Sequence, residues 1–300
     1  MATITSPRKA AQPQTERSLA TRNVIGKTLI LIILGAWAVI VIFPMLWSIM
    51  TSFKTDQEIF FSPWALPKTP VWSNFSRAWT TARLGEYLLN TLLVIAPSLF
   101  LTLLLSAMAS YVLARFEFRG RMLITYIFLI GMIFPLFLAL VPLYFVMRTL
   151  HLLDTFPGLI LVYVAFSLPF TIFFLTNFFR TLPKELGEAA TIDGAGQYGI
   201  FFRIYLPLAK PGLITMGIFN FLGQWNQYIL PNTLMITNDD QHTHYVLSQG
   251  LYYLQAKQFY QSDWSGLFAA VTIVMVPTLI VYIIFNDRIQ RGMTAGAVKG

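Results

Sequence analysis

Cysteine is absent from this chain, which excludes a disulfide framework and any thiolate metal site. Charge is scarce: 11% of the residues are Asp, Glu, Lys or Arg, 56% are hydrophobic, and the mean hydropathy is +0.63. Soluble domains carry about a quarter charged residues and at most half apolar ones, so a water-soluble domain is excluded. Of 3 histidines, only His242 and His244 stand close together, as H-x-H. Two imidazoles without further ligands are weak grounds for zinc, and no metal is expected. A Walker A phosphate loop is also lacking. Gly26-Lys27-Thr28 ends like one, but Thr21 stands where the opening glycine should be and no strand precedes it. The chain is therefore expected to bind no ATP or other cofactor itself.

Long apolar runs are abundant. Crossing a hydrocarbon core of about 30 Å takes about 20 helical residues, and six runs qualify: 28–50, 87–114, 122–147, 156–179, 213–236 and 264–286. None contains Asp, Glu, Lys, Arg or His, and each carries proline: Pro44, Pro97, Pro135 with Pro142, Pro169, Pro231 and Pro277. Proline is tolerated in membrane helices, where neighbours satisfy the freed carbonyl, so these read as kinks in a bundle. The expected fold is an all-α membrane protein of six transmembrane helices over 28–287. Residues 1–27, polar and basic with Pro7 and Pro13, read as a disordered tail, and 288–300 as a second tail. The first apolar run exceeds a signal-peptide core and no small-x-small cleavage site follows it, so it is expected to be a retained span.

Orientation follows from the basic residues. The tails and the connections 115–121 and 180–210 hold 15 of the 21 Lys and Arg, and the alternate connections hold 6. The positive-inside rule then places both termini in the cytoplasm. The formal charge of +8 is a topological signal, and nucleic acid is not implied. The outer connection 51–86 mixes aromatics with Pro63, Pro67 and Pro70. It suits the membrane interface and contact with an external partner equally. Asp239, Asp240 and the H-x-H pair of the other long outer loop are further candidates for meeting a docking protein.

The chain is organised around LPKELGEAATIDGAGQYGIFFRIYLPLAKPG at 182–212. Pro183 and Glu185 suit a helix start, so 184–192 is expected to be helical and to stop at Gly194 and Gly196. A second amphipathic run follows, with Tyr198, Phe201, Phe202 and Tyr205 on one broad side and Arg203 on the other. Glu188, Ala189, Ala190, Gly194, Ile204, Leu206 and Pro207 meet the spacing E-A-A-x3-G-x9-I-x-L-P without departure. The stretch resembles the EAA loop of permease subunits of binding-protein-dependent ABC importers. A merely interfacial amphipathic helix is the bland alternative. FLGQWNQYILP at 221–231 resembles the F-L-x-x-W-N-x4-P stretch of the maltose-type sugar permeases, as do FKTDQEI at 53–59 and GMTAGAVKG at 292–300. The likeness covers nearly everything after residue 28.

That resemblance implies an ABC importer type I permease fold in the bacterial inner membrane. It implies a second homologous permease subunit, two ATP-binding subunits that carry the ATP and Mg, an extracytoplasmic solute-binding protein and a carbohydrate substrate. The helix at 184–192, with Glu188, Ala189, Ala190, Asp193 and Gly194, would dock on the ATPase subunit. Ile204, Leu206 and Pro207 would complete that coupling set.

The residues agree with such an assignment. Ion-coupled carriers commonly bind their ion on intramembrane carboxylates or histidines, and this chain has none. Energy must therefore come from a partner, against the alternatives of a secondary transporter or channel. A membrane enzyme is disfavoured because no His/Asp/Glu cluster lies at span depth. Asn220, Gln224 and Gln227 fall on one helical stripe with Gly217. With Trp225, Asn226 and Tyr228 they are candidates for the solute path, since amides and rings suit sugar hydroxyls and apolar ring faces. Interhelical hydrogen bonding is the equal alternative.

Overall fold

The computed structural model describes residues 14–236 and 243–297, with side chains over 26–236, 243–256 and 262–288. The first 13 residues and the last three lie outside it, as do Asp239, Asp240 and His242. Regular structure among the described residues is helical throughout. Helix α1, Gln14–Thr51, starts well ahead of residue 28, so 14–27 continues the helix instead of forming part of a disordered tail. Once the apolar run has nucleated, adding Ala, Leu, Arg and Glu is easy.

Helices α2 (Asp56–Phe61) and α3 (Ser73–Thr80) give the connection 51–86 a built core. Thr55 and Glu58 form a capping box on α2. Buried Lys54 donates through Nζ to the carbonyls of Ser62 (3.1 Å) and Pro63 (2.8 Å). Asn74 donates to Ser52 O and Lys54 O at 2.9 and 2.8 Å. Arg77 reaches Asp263 and Ser265, both at 3.0 Å, and Asp56 accepts from the Ser265 N–H at 2.7 Å. This platform is thereby clamped to the start of the last helix.

Helix α4 (Leu84–Arg115) is the spine. The third apolar run is not one helix: α5 (Arg121–Ile133) and α6 (Leu136–Thr149) meet at 103°. A residue before proline is pushed out of the α region, and Phe134 and Pro135 are both extended there. Helix α7 (Phe156–Thr181) packs along α4. Next come α8 (Glu185–Ile192), α9 (Gln197–Ile200), a π turn at Phe201–Tyr205 and α10 (Leu206–Leu208). The fifth run is also broken, into α11 (Lys210–Trp225) and α12 (Ile229–Leu234). Pro231 lies in the first turn of α12, where a missing N–H is harmless. Helices α13 (Leu247–Gln261) and α14 (Trp264–Ala297) complete the described chain.

Among the described residues four stretches are long and apolar enough to cross a membrane: Gly26–Thr51, Leu84–Arg115, Phe156–Thr181 and Trp264–Arg288. The bent α5–α6 pair would make a fifth. Two cores hold the bundle. One gathers Leu84, Tyr87, Leu159, Trp225, Leu230 and Leu247 at the platform end. The other gathers Tyr111, Phe179, Ala190, Phe201, Tyr205 and Met216 at the opposite end. Ser98, Thr102, Ser106 and Ser110, four residues apart along α4, are fully buried. Small side chains at that spacing let helix backbones approach closely.

Candidate functional site

The short helix α8 is built to show one face and bury the other. Glu185 and Glu188 occupy its first turn, where the helix dipole favours anions. Its end is fixed by Gly194 at φ +81, a left-handed conformation that costs glycine little and other residues more. That turn lets the Ala195 N–H reach Ala190 O at 2.9 Å, while the Asp193 N–H bonds Ala189 O at 3.0 Å. Ala190 is 8% exposed and packs with Ile200, Phe201 and Tyr205. Glu185, Glu188, Ala189, Asp193 and Ile192 face outward, Ile192 being 87% exposed. Gly187 lies over Tyr205; a Cβ there would sit 2.8 Å from the tyrosine hydroxyl.

The expected aromatic side of the following run divides. Ile200, Phe201 and Tyr205 are buried, whereas Tyr198 and Phe202 are exposed. Ile204 and Leu206 pack partly buried against the same core, and Pro207 is exposed in the first turn of α10. A cleft beside α8 is lined by Tyr111, Arg115, Lys184, Glu188, Gln197 and Tyr205 among others. Tyr111 donates to Gln197 at 3.3 Å. Among the described residues the Glu188 carboxylate makes no ion pair or hydrogen bond. Arg115 is the residue that sequence reasoning passed over. In the sequence it bears only on topology, yet its Nη2 donates to Phe179 O and Leu182 O, both at 2.7 Å.

The six candidate path residues separate into two groups. Asn220 donates to Thr171 Oγ1 at 2.9 Å, and Gln224 donates to Ser167 Oγ at 3.2 Å while accepting from Ser98. These bonds tie α11 to α7 and α4, and both amides are buried. Trp225, also buried, donates through Nε1 to Val274 O of α14 at 3.2 Å. Asn226, Gln227 and Tyr228 instead form the non-helical break between α11 and α12. Asn226 is exposed, Gln227 accepts from the Ile229 N–H at 3.2 Å, and the Tyr228 ring lies 5.2 Å from that of Tyr252.

Beyond the platform clamp, burial opposes ionisation of Asp263, but Arg77 and the Gly266 N–H outweigh it and hold the carboxyl below its ordinary value. No group of three or more His, Cys, Asp or Glu that could hold a metal occurs among the described residues.

Comparison with known proteins points in one direction. Residues 103–295 match the family described as binding-protein-dependent transport system inner membrane component. The diacetylchitobiose uptake system permease protein NgcG of Streptomyces coelicolor is 51% identical over 263 residues, 88% of this chain and 86% of that protein. The trehalose/maltose transport system permease protein MalG of Thermococcus litoralis is 33% identical over 276 residues, 90% of this chain and 97% of that one. A chain of a bacterial ABC transporter involved in the import of the acidic polysaccharide alginate shares the fold, with a TM-score of 0.74 at 21% identity. It covers 93% of this chain and 99% of that chain.

Proposed function

The chain belongs to the family of binding-protein-dependent transport system inner membrane components, and from that premise we propose that it carries a di- or oligosaccharide inward by ATP-driven alternating access. It is a non-catalytic permease subunit of an ABC transporter. Its relatives' names include diacetylchitobiose, trehalose and maltose, which supports a sugar of that size. A second, homologous permease completes the pathway, and two ATP-binding subunits supply ATP and Mg. A solute-binding protein delivers the sugar to the outer face, with both termini in the cytoplasm. In this scheme α11, the break and α12 together make one span and the bent α5–α6 pair another, giving six.

The observation that carries this reading is α8. Its inner face is seated on the bundle while Ala189 and Ile192 stand free at the turn's edge, the arrangement needed by a helix that fits into another protein's groove. Glu188, Ala189, Ala190, Asp193 and Gly194 shape that knob, and Ile204, Leu206 and Pro207 hold its base. ATP-driven closure of the motor subunits pushes the knob, and packed helices respond by switching between discrete arrangements. Non-helical backbone at membrane depth is tolerated where it lines a cavity, which favours Asn226, Gln227 and Tyr228 as sugar-facing groups. Asn220, Gln224 and Trp225 keep the helices behind them aligned.

The test is uptake into proteoliposomes holding the full complex, with diacetylchitobiose and maltose offered through the binding protein. Uptake that requires enclosed ATP supports the assignment. Uptake by the permease subunits alone, driven by an ion gradient, overturns it.

A further inference from the structure

We infer that Arg115, through Tyr205, is the joint that makes α8 move together with α4 and α7. This rests on the proposed coupling role of α8, and it assigns a positioning function to a residue outside the loop itself.

The link between α7 and α8 is only Leu182, Pro183 and Lys184. A linker that short still swings unless its backbone is held. Arg115, in the last turn of α4, holds it from one side. Its Nη2 donates to Phe179 O and Leu182 O at 2.7 Å each, bonds short enough to count as strong charge-assisted contacts. The Leu182 carbonyl is thereby satisfied beyond the end of α7, and the Phe179 carbonyl gains a second donor beside the Leu182 N–H. Tyr205 holds the linker from the other side: its hydroxyl donates to Pro183 O at 3.2 Å. The two holders are joined, because the Arg115 guanidinium lies 4.5 Å from the Tyr205 ring centre. Among the described residues the buried Arg115 Nε has no hydrogen-bond partner, and Nη2 makes the bonds to both carbonyls.

Contact then passes upward. Gly187 of α8 rests on the edge of Tyr205, where a Cβ would come 3.1 Å from Cε2. Below, Tyr111 of α4 faces the same ring at 5.3 Å. Tyr205 reaches all these neighbours from the π turn, in which the Leu206 N–H bonds Phe201 O five residues back; such turns recur at functional sites. A push on α8 therefore meets Tyr205, Arg115 and the ends of α4 and α7 as one packed body.

The experiment uses the assembled transporter with Arg115→Met, Arg115→Lys and Tyr205→Phe. Arg115→Met is expected to keep the ATP-binding subunits on purification and to keep basal ATP hydrolysis. Sugar carried per ATP should fall about tenfold, within the range that residues along a coupling route command. Arg115→Lys is expected to recover only part of the loss: one ammonium can reach two carbonyls, as Lys54 Nζ does, but it lacks the planar guanidinium that stacks on the Tyr205 ring. Tyr205→Phe shows an intermediate loss. A wild-type transport ratio in Arg115→Met overturns the inference. So does loss of the ATP-binding subunits, which would make Arg115 part of the docking surface alone.

A second readout needs no transport. The cysteine-free chain accepts spin labels at Leu186→Cys and Met108→Cys, and their distance distribution should be narrow with Arg115 and broad in Arg115→Met. Equal widths overturn the joint. Narrow and broad widths in a complex without ATP-dependent uptake keep the joint and overturn the proposed transport function instead.

Discussion

Ala189 and Ala190 are sequence neighbours in α8, the first exposed and the second buried, so an aspartate at each should fail differently. At position 190 the new carboxyl enters the space between Ile200, Phe201 and Tyr205, where the alanine is 8% exposed. Left ionised it loses several kcal/mol of hydration. Protonating it at pH 7, from an ordinary pKa of about 3.9, costs about 4 kcal/mol. An eight-residue helix has no stability of its own in water, so the strain is relieved by undocking α8 and not by unfolding the bundle. Those 4 kcal/mol multiply the undocked population by about a thousand. Trypsin should then cut faster after Lys184 and Arg203, both exposed, and uptake should cease while membrane insertion and the thermal midpoint of the bundle hold. Ala189→Asp, on the open face, should leave the tryptic pattern unchanged, because surface changes stay within about 0.5 kcal/mol. Its loss should appear only as failure to retain the ATP-binding subunits. Unchanged proteolysis together with full uptake in Ala190→Asp would refute the two-faced assignment of α8.

Other consequences are equally open to measurement. Gly194→Val, at φ +81, should destabilise the end of α8 by about 1–2 kcal/mol, seen as faster hydrogen exchange over 189–195; unaltered exchange would contradict it. Gln224→Leu removes the partner of Ser98 and Ser167; because both serines can fall back on their own helix carbonyls, stability should drop by about 1 kcal/mol, measured as a lower melting point in detergent. The Arg77–Asp263 clamp depends on a carboxyl held below its ordinary value. Its contribution is therefore complete above the unfolded carboxylate pKa of about 3.9 and is lost as pH falls through the lower folded value. Both side chains are about 40% exposed, so the pair is worth less than about 1 kcal/mol. Hydrogen exchange in 52–80 should rise below about pH 4 in the native chain, and Asp263→Asn should show the raised rate at neutral pH.

Helices α4 and α7 were legible from the sequence to within a few residues, because uninterrupted apolar runs of that length have few other uses. The interruptions were not. Pro97 and Pro169 stay inside their helices, whereas at Pro135 the chain turns by 103°; proline alone does not say which will happen, since the outcome depends on the packing around it. The break at Asn226–Tyr228 was equally hidden, although Pro231 two residues into α12 is where a new helix tolerates one. Within the loop, the EAA spacing located α8 and its end at Gly194. It could not separate Ala189 from Ala190 by burial, since that depends on what lies beneath. Arg115 was invisible for the same reason: its partners are backbone carbonyls, which leave no mark on composition or spacing. The amides of α11 were visible as a stripe, but only tertiary contacts show Asn220 and Gln224 pointing at hydroxyls of neighbouring helices.

The stripe of hydroxyls between α4 and α7 has a mechanical corollary. Among the described residues Thr102, Ser106 and Thr176 hold buried oxygens that bond nothing across the seam, while Ser110 reaches Ile172 O. Each can instead turn back to a carbonyl four residues earlier on its own helix. Direct bonds between the two rods are thus gathered at the α8 end, where Ser110 and Arg115 rivet α4 to α7, and farther along shape alone keeps them together.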